Sequence, residues 1–415
     1  MSSRTFKEDR EEINMSSPPP KLILLWHSVA SWIHSGYGKT TYNILNRLIK
    51  YGYRVIQSAY YGMEPGGVLN YQGIVTVASK EGPFGVISAA KHAKRFKTDV
   101  QFLFTDAWAF SRFPELMPYP VVYSPFDHVY YPEEIINFIR KYRKIVTLCK
   151  FSHDDLLSRW NIDSTVIPHG VDLSIYKPLP KEECKKRLGL EGKFVFGTVA
   201  ANSDKEDRKF HAGMMKAMRY FLDQNPDVKD IVWLYHTVPT DPRGMPLSNI
   251  AHKWKLDNVI KFMDPSMADI MLSEEELVTL YNAMDVHLLC SKREGFGLPI
   301  IESQACGVPN IVHNFSSMPE LVKGHGWLVK SLGIDLNLTT TPINAETGVP
   351  DVYDLADKIK RAYFNDKERK RYARRSRQFA LKFGYDDIVR DKWIPFLEEV
   401  KEDIRPKGVL ERRIL

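Results

Sequence analysis

The chain has 415 residues, of which 58 are Lys or Arg and 51 are Asp or Glu, which leaves a formal net charge of +7. A hydrophobic fraction of 44% and a charged fraction of 26% are ordinary for folded proteins and exclude the disordered and fibrous classes. The small positive excess does not by itself indicate a nucleic-acid partner. At ~150 residues per domain, this length predicts roughly two to three domains.

Targeting and redox features favour a cytoplasmic protein. No apolar run approaches the ~20 residues that span a bilayer. The first twenty residues are charged and lack the apolar stretch of a signal peptide, so residues 1–20 are predicted to be a flexible extension. The four cysteines lie far apart without metal-ligand spacing, so neither a disulfide framework nor a structural zinc site is expected.

Short apolar runs then alternate with helical patterns. The run 22–26 predicts the first strand, and residues 39–51 place apolar side chains on one face of a helix. Further strands are predicted at 54–59, 73–77, 100–104, 121–123, 145–148 and 165–167, with a helix near 84–96. Apolar strands separated by helices are typical of a parallel sheet buried on both faces, so we expect a Rossmann-like domain over residues 21–170.

A Pro- and Lys-rich segment over 171–192 interrupts this alternation and predicts an interdomain linker. The alternation restarts with strands at 194–200, 230–236, 258–262, 285–290, 310–313 and 326–330. Residues 331–350 predict a loop, and 352–403 predict helices. We therefore expect a second Rossmann-like domain over 193–383 and a helix over 384–415 that crosses back to the first domain. In such folds, ligands bind beyond the carboxyl ends of the strands.

The most informative segment, residues 291–312, follows a predicted strand and begins a helix. Gly295 and Gly297 permit unusual backbone angles and a close ligand approach. The free amides at the start of the helix predict an anion site. Glu294 and Glu302 flank this site, and a carboxylate repels a phosphate. The two glutamates are therefore predicted to accept hydrogen bonds from neutral hydroxyls, such as those of a sugar or a ribose.

Two glutamates at this spacing resemble the E-x7-E motif of retaining glycosyltransferases of family 4, which have the two-domain GT-B fold. The resemblance extends over essentially the whole chain. It implies that residues 21–170 form the acceptor side and that 193–383 bind a nucleotide sugar. It also implies that Glu294 contacts the transferred sugar and that Glu302 binds the ribose of the nucleotide. The donor would further be contacted by the loop residues Gly295, Phe296, Gly297 and Leu298.

Residues 197–213 resemble the family's loop that holds the donor diphosphate through an Arg and a Lys. Arg208 and Lys209 lie after a strand and at the start of a helix, where two cations and helix amides can stabilise a leaving diphosphate. Several residues are inserted relative to the family's shorter form, and Ala201 or Asn202 occupies the region of its Arg. Arg208, Lys209 and Asn202 are therefore assigned to donor binding, and the first two also to catalysis.

The glycine loop after the first strand has two interpretations. The resemblance places Gly36 and Gly38 against the donor phosphates and the acceptor. In the alternative, Gly38-Lys39-Thr40 is the end of the phosphate-binding loop of a nucleotide hydrolase. A complete loop of that type requires glycine at position 33, which is Ile33. A P-loop-type hydrolase and a non-catalytic nucleotide-sugar-binding protein are therefore kept as alternatives.

The segment 123–132 follows another strand, where family members often carry a functional histidine near the reacting carbon of the sugar. Either Asp127 or His128 fills this place, and each is assigned to catalysis. Such a group can hydrogen-bond the donor sugar or assist deprotonation of the acceptor. Asp106, which follows strand 100–104, is a weaker acceptor-side candidate, and it would be the Walker B carboxylate of the hydrolase alternative.

Two further segments carry open interpretations. Residues 314–322 resemble a short helix of the family in which Ser316 and Ser317 replace glycines, and Glu320 is either a helix-start residue or a ligand. The basic run 367–378 is most simply a solvated helix face. Its alternative is a docking site for an anionic membrane surface or a lipid-diphosphate acceptor.

The residues and the resemblance together predict an α/β protein of the GT-B type. Its expected reaction is transfer of a hexose, glucose or mannose favoured, from a nucleotide-diphosphate sugar to a hydroxyl of a glycan, lipid or small molecule, with retained configuration. No cofactor or metal is expected, because two cations serve the diphosphate and no Asp-x-Asp motif ends a strand. The expected partners are the donor, the acceptor and the inner membrane face, but not nucleic acid. The sequence leaves the donor, the acceptor and the oligomeric state open.

Overall fold

The computed structural model describes residues 20–106, 109, 112–262, 272–335 and 343–404, and the statements below refer to these residues. The strands of the first domain are β1 (Ile23–Val29), β2 (Arg54–Tyr61), β3 (Val68–Tyr71), β4 (Ile74–Ala78), β5 (Val100–Phe104), β6 (Pro120–Ser124), β7 (Lys144–Thr147) and β8 (Thr165–Val166). They form one sheet in the order β3-β4-β2-β1-β5-β6-β7-β8. All neighbouring pairs are parallel except β3 and β4.

Helices cover both faces of this sheet, which explains why its central strands are almost continuously buried. The helices are α1 (Gly36–Lys50), α2 (Val86–Arg95), α3 (Phe113–Leu116), α4 (Glu133–Ile139) and α5 (Lys150–Trp160). The first of them begins where the Ser35 hydroxyl accepts a hydrogen bond of 3.1 Å from the amide of Gly38. This serine cap fixes the direction in which α1 leaves β1, so that the start of α1 faces the second domain.

The sequence pattern did not predict β3, because three of its four residues are exposed and carry no apolar periodicity. It pairs with β4 through a tight turn in which Gln72 and Gly73 both have positive φ, 49° and 88°. A two-residue turn of this kind matches the twist of paired strands. The hairpin extends one edge of the sheet.

A second parallel sheet, in the order β11-β10-β9-β12-β13-β14, confirms that the chain repeats the α/β architecture. Its strands are β9 (Phe194–Val199), β10 (Ile231–His236), β11 (Ile260–Phe262), β12 (Val286–Leu289), β13 (Asn310–His313) and β14 (Trp327–Val329). The accompanying helices are α6 (Lys181–Arg187), α7 (His211–Gln224), α8 (Leu247–Lys253), α9 (Glu274–Ala283), α10 (Leu298–Ala305) and α11 (Met318–Val322). Helix α6 lies within the segment predicted as a linker.

The prediction of a loop over residues 331–350 is wrong. The strands β15 (Ser331–Asp335) and β16 (Thr347–Pro350) form an antiparallel pair. Between them, Val129 of the first domain and Glu346 exchange two backbone hydrogen bonds, of 3.1 and 2.9 Å. Ile343 and Ala345 are buried in an apolar cluster of the first domain. A partner distant in sequence completes this arm, so its local composition did not reveal it.

The chain ends on helices α12 (Val352–Phe364), α13 (Asp366–Ala380), α14 (Tyr385–Ile388) and α15 (Ile394–Ile404). The last two lie against the first domain. Trp393 is fully buried there, with ring centroids 5.7 Å from Trp26 and 5.0 Å from Tyr123. Edge contacts between large aromatic rings stabilise a packed core beyond the area they bury. The end of the described chain therefore joins the core of the domain that begins it.

All four cysteines are buried free thiols, so their role is packing. Among the described helices, none combines the length and the apolar character needed to cross a membrane.

Candidate active site

The two sheets meet where loops follow the carboxyl ends of their strands. A Cβ atom on Gly295, after β12, would lie 2.2 Å from the Cβ of Pro125, after β6. Only glycine fits at this close approach. At Gly36, which begins α1, a Cβ would lie 3.3 Å from Cδ1 of Leu298 at the start of α10. The predicted glycines therefore let the two domains come into close contact at two points.

The loop between β12 and α10 is held by two serines of the segment after β13. The Ser317 hydroxyl lies 2.9 Å from the carbonyl of Glu294 and 2.8 Å from that of Phe296. The Ser316 hydroxyl accepts a 3.0 Å hydrogen bond from the Glu294 amide. Gly297 ends the loop with a φ of 103°, a region that favours glycine. The serines that replace the family's glycines thus organise the loop itself.

The Glu294 carboxylate is buried among donors of its own domain. Its Oε1 accepts a hydrogen bond of 2.5 Å from the Lys209 ammonium and one of 2.6 Å from the Ser291 hydroxyl. The Arg208 guanidinium lies 3.8 Å from its other oxygen. Burial raises the pKa of Glu294, but Lys209 and Arg208 outweigh burial and hold the pKa below its ordinary value. The site therefore holds an ionised carboxylate beside two cations.

The loop that carries these cations is tied to the Glu294 loop, because the Lys292 amide donates a 2.8 Å hydrogen bond to the Arg208 carbonyl. The predicted contribution of helix amides is not supported here. The Asp207 carboxylate binds the first amides of α7, those of His211 at 2.6 Å and Ala212 at 3.0 Å. At this position the helix start is already capped by a carboxylate, and the two cations provide the positive charge.

Asn202 has a different local role from the predicted one. Its side-chain nitrogen donates to the carbonyls of Val238 at 3.0 Å and Met245 at 2.8 Å, and its oxygen accepts from the Met245 amide at 2.8 Å. The amide therefore braces the loop after β10. These contacts explain the burial of Asn202 without a ligand, and they do not favour its assignment to donor binding.

Glu302 is also buried, but its cation comes from the opposite domain. Its Oε1 accepts a 2.7 Å hydrogen bond from the Lys39 ammonium, and its Oε2 accepts one of 2.9 Å from Tyr281. The same ammonium lies 2.6 Å from the hydroxyl of Tyr176 and 3.5 Å from Glu274. The second glutamate of the motif is thus part of the contact between the domains.

This geometry argues against the P-loop alternative. A phosphate-loop lysine turns toward phosphate and the following hydroxyl binds magnesium. Here Lys39 is bound to the Glu302 carboxylate, and the buried Thr40 hydroxyl lies 3.2 Å from that of Tyr385. The Gly38 amide is used by the serine cap of α1. The three residues act in domain contact and helix capping.

The loop after β6 brings Asp127 and His128 to the first domain's side of the cleft. His128 Nδ1 lies 2.6 Å from Asp127 Oδ1, and Arg293 Nε lies 3.6 Å from Asp127 Oδ2. Burial raises the pKa of Asp127, but His128 and Arg293 outweigh burial and hold it well below its ordinary value. The other ring nitrogen of His128 is buried and has no hydrogen-bond partner. The pair therefore combines an ionised carboxylate with an imidazole nitrogen that is free to bind.

A second carboxylate, Asp106, lies close to this pair. The Tyr37 hydroxyl donates to it at 3.2 Å. Burial and the charge of Asp127 raise the pKa of Asp106 to about 6, against the opposing effects of Tyr37 and the nearby arginines. Two neighbouring carboxyl groups whose pKa values are driven apart are typical of sites where one holds a proton and the other does not.

The structure shows what Glu320 and part of the basic run, whose roles the sequence left open, contact within the chain. Glu320 accepts hydrogen bonds from the amides of Lys150 at 3.0 Å and Phe151 at 2.6 Å, so it caps α5 of the first domain from the second. In the basic run, Arg377 donates to the Ala305 carbonyl at 2.7 Å, which holds α13 on α10. Other members, including Lys370, are exposed to solvent. A membrane contact of this surface stays a prediction.

Two functional candidates were missed from the sequence. Ser291 binds the Glu294 carboxylate, and Arg293 lies beside Asp127 although it is only 8% exposed. Their closeness to Glu294 in the sequence was the only signal that could have indicated them. The burial of Arg293 could not be predicted, because it depends on the domain that faces it. In the described part of the chain, no cluster of three or more His, Cys, Asp or Glu is arranged to hold a metal ion. Independence of metal stays a prediction.

Solved structures with this arrangement define the fold class. The chain superimposes on sucrose-phosphate synthase from Thermosynechococcus elongatus with a TM-score of 0.73 and 16% identity, covering 91% of this chain and 99% of that one. It superimposes on HepE of Anabaena in complex with UDP-glucose with a TM-score of 0.68 and 15% identity, covering 91% and 100%. The chain therefore has the GT-B glycosyltransferase fold, as predicted.

Sequence comparisons assign the segment that carries both glutamates. Residues 247–336 match the family model of glycosyl transferases group 1. D-inositol 3-phosphate glycosyltransferase of Thermobifida fusca is 28% identical over 165 residues, 39% of this chain and 36% of that protein. O-antigen chain mannosyltransferase B of Escherichia coli is 26% identical over 225 residues, which cover 51% of this chain and 54% of that protein. The match thus spans about a third to a half of these relatives. The resemblance to glycosyltransferases is confirmed, and the roles of Glu294 and Glu302 stay predictions.

Proposed function

We propose that the protein is a retaining glycosyltransferase that moves a hexose from a nucleotide-diphosphate sugar to an acceptor hydroxyl. The observation that carries the proposal is the buried Glu294 carboxylate, bound by Lys209 and Ser291 and approached by Arg208. A carboxylate held ionised at the base of a cleft accepts hydrogen bonds from sugar hydroxyls. The cations beside it match the charge that develops on a leaving diphosphate.

Arg208 and Lys209 are the proposed diphosphate-binding groups. Both belong to the loop before α7, and both act electrostatically on Glu294. Preorganised cations in a site shielded from water stabilise a leaving group without reorganisation during the reaction. They also provide the charge that a metal ion would otherwise supply, so we propose a reaction independent of metal. Cleavage of the bond to the diphosphate and attack by the acceptor on the same face would retain the configuration.

The acceptor is proposed to bind on the first domain's side, beside Asp127 and His128. The free His128 nitrogen is suited to bind a hydroxyl, while Asp127 orients the ring through the other nitrogen at 2.6 Å. Asp106 adds a carboxyl group that changes its protonation near pH 6. The proton of the acceptor hydroxyl then passes to one of these groups or to the departing phosphate oxygen.

Glucose and mannose are the proposed sugars. The relatives include a mannosyltransferase, and one structure of the same fold is in complex with UDP-glucose. The acceptor classes stay broad: a glycan, a lipid carrier or a small polyol. A contact with the inner membrane face through α13 would bring a lipid-linked acceptor to the cleft.

The proposal is tested by donor screening. The full chain is incubated with UDP-, GDP- and ADP-linked glucose and mannose in EDTA, and release of nucleoside diphosphate is measured. NMR of the products then gives the anomeric configuration, and Glu294→Gln serves as the control that keeps the cleft's shape. We expect release from one donor, loss of release in the variant, and retained configuration. Hydrolysis of ATP with magnesium but of none of the sugars would show the nucleotide hydrolase instead.

A further inference from the structure

Lys39 is a cation of the first domain that lies on the proposed nucleotide site of the second. It is in the first turns of α1, and its ammonium is 2.7 Å from Oε1 of Glu302. The Glu302 side chain is 5% exposed and that of Lys39 is 25% exposed, so the carboxylate is enclosed and the lysine side chain is partly open to solvent. A molecule that reaches Glu302 past the first domain therefore meets Lys39 as well.

The hydrogen bonds of Glu302 leave room for such a molecule. A carboxylate offers about four acceptor positions. Lys39 occupies one of them and Tyr281 another, so about two are left. A carboxylate can only accept hydrogen bonds and an ammonium can only donate them, whereas a hydroxyl does both. Two neighbouring hydroxyls of one ring are therefore complementary to a carboxylate and an ammonium held side by side.

We propose that Lys39 is a donor-binding residue supplied by the opposite domain, and that it recognises the vicinal ribose hydroxyls of the nucleotide together with Glu302. One hydroxyl donates to Glu302, and its neighbour accepts from Lys39 in place of Glu274, the most distant of the three groups around the ammonium. The inference rests on the proposed function and extends it, because the family resemblance assigns the ribose to Glu302 alone. It also gives a role to a lysine that the P-loop alternative had placed on phosphate.

The packing around the pair supports this role. Gly36 lies against Leu298, so the first turn of α1 rests on the first turn of α10, and Lys39 and Glu302 follow on their respective helices. Burial lowers the pKa of Lys39, but Glu302 and Glu274 outweigh burial and raise it, so the ammonium stays charged. A ribose held by both residues would bridge the domains and link donor binding to their contact.

The test compares nucleotides with and without one ribose hydroxyl. Calorimetry of the full chain with UDP, GDP and ADP identifies the nucleotide that binds best. Its 2′-deoxy and 3′-deoxy forms are then measured, because the proposal assigns one hydroxyl to Lys39 and the other to Glu302. Hydrogen bonds to charged groups contribute about 1.5–3 kcal/mol, or roughly tenfold or more in affinity. We expect the ribose form to bind about tenfold more tightly in the wild type. Lys39→Met should lose most of this preference, and Lys39→Arg should keep part of it.

Glu274→Gln is the matched control, because it removes the other carboxylate beside the same ammonium and leaves Glu302 in place. It should keep the ribose preference within about twofold. Thermal unfolding without nucleotide shows whether each variant is folded.

Five results would overturn the inference. An unchanged preference for the ribose over both deoxy forms in Lys39→Met would show that Lys39 only joins the domains, as would equal losses for the ribose and deoxy forms. Tighter binding by Lys39→Met would show that the lysine competes with the ribose. If Glu302→Gln loses the ribose preference and Lys39→Met keeps it, Glu302 binds the ribose without Lys39, and the proposed function is not affected. Absence of nucleotide binding by the wild type would overturn both.

Discussion

Glu294 and Glu302 are eight residues apart and equally buried, yet they are stabilised in different ways. The cations beside Glu294, Lys209 and Arg208, belong to its own domain, and a backbone hydrogen bond joins their loop to the Glu294 loop. The cation beside Glu302 is Lys39, which reaches it from the opposite domain. The first site is therefore assembled within one domain, and the second exists only where the domains touch. The proposed catalytic contacts of Glu294 and the domain contact of Glu302 thus lie at opposite ends of one segment, residues 294–302.

The largest effect is expected at the site assembled within one domain. Glu294→Gln removes the charge opposite Lys209 but keeps the shape, so the transfer rate should fall about 10²–10³-fold with little change in donor affinity. Steady-state kinetics with the donor identified by screening measure this. Glu320→Gln is the control, since it changes a carboxylate that caps α5 from across the interface. A loss of similar size in both variants would mean that Glu294 acts only through packing.

The acceptor side should show the next largest effect. Asp127→Asn weakens the orientation of His128 and its pairing with Arg293, and we expect about a 10²-fold loss of rate. Donor binding, measured by calorimetry, should change less than threefold. A loss of donor affinity that accounts for the whole effect would place Asp127 in the donor site.

At the site between the domains, Glu302→Gln should raise the KM for the donor about tenfold, the effect of one charge-assisted hydrogen bond, while kcat changes little. This is the reverse of the pattern expected for Glu294. Initial rates over a range of donor concentrations separate the two. A fall in kcat with constant KM would show that Glu302 acts on the rate in the same way as Glu294.

The smallest effect concerns stability and pH. The pKa of Asp106 is raised to about 6 in the folded chain, so the folded state binds this proton more tightly than the unfolded state does. The resulting stabilisation is present below the ordinary pKa of Asp, about 4, and is lost as the pH rises through 6. The free energy of unfolding of Asp106→Asn, relative to that of the wild type, should therefore rise by about 1–2 kcal/mol from pH 4 to pH 7.5. Urea unfolding at both pH values checks this, and an equal difference at both would contradict it.

Much of the fold was predictable because each parallel strand is a short apolar run of its own. The strands missed were β3, whose side chains are mostly exposed, and the β15–β16 pair, whose segment docks on the first domain. Neither has the local apolar periodicity from which strands are predicted. Both are formed by pairing partners or contacts outside the segment itself.

The candidate site was predictable to the level of loops. The glycines and glutamates of residues 294–302 were found by their spacing, and Arg208 and Lys209 by their place at a helix start. The sequence did not predict that Asn202 braces a loop or that Asp207 binds the first amides of α7. The assignment of Asn202 to the donor stays a prediction. Hydrogen-bond partners of a polar side chain depend on positions tens of residues away, which local spacing does not encode.

By itself, the sequence determined two α/β units, the loops that carry the chemistry and the resemblance to glycosyltransferases. These follow from local patterns: apolar strands, helix starts, and glycines where the backbone needs freedom. Only the tertiary structure decided that Lys39 meets Glu302, that Arg293 meets Asp127 and that Glu320 caps a helix of the other domain. The first two pairs join charges from segments far apart in the chain, and burial at the domain contact makes their pairing necessary. The third joins an exposed carboxylate to backbone amides that are equally distant in the chain.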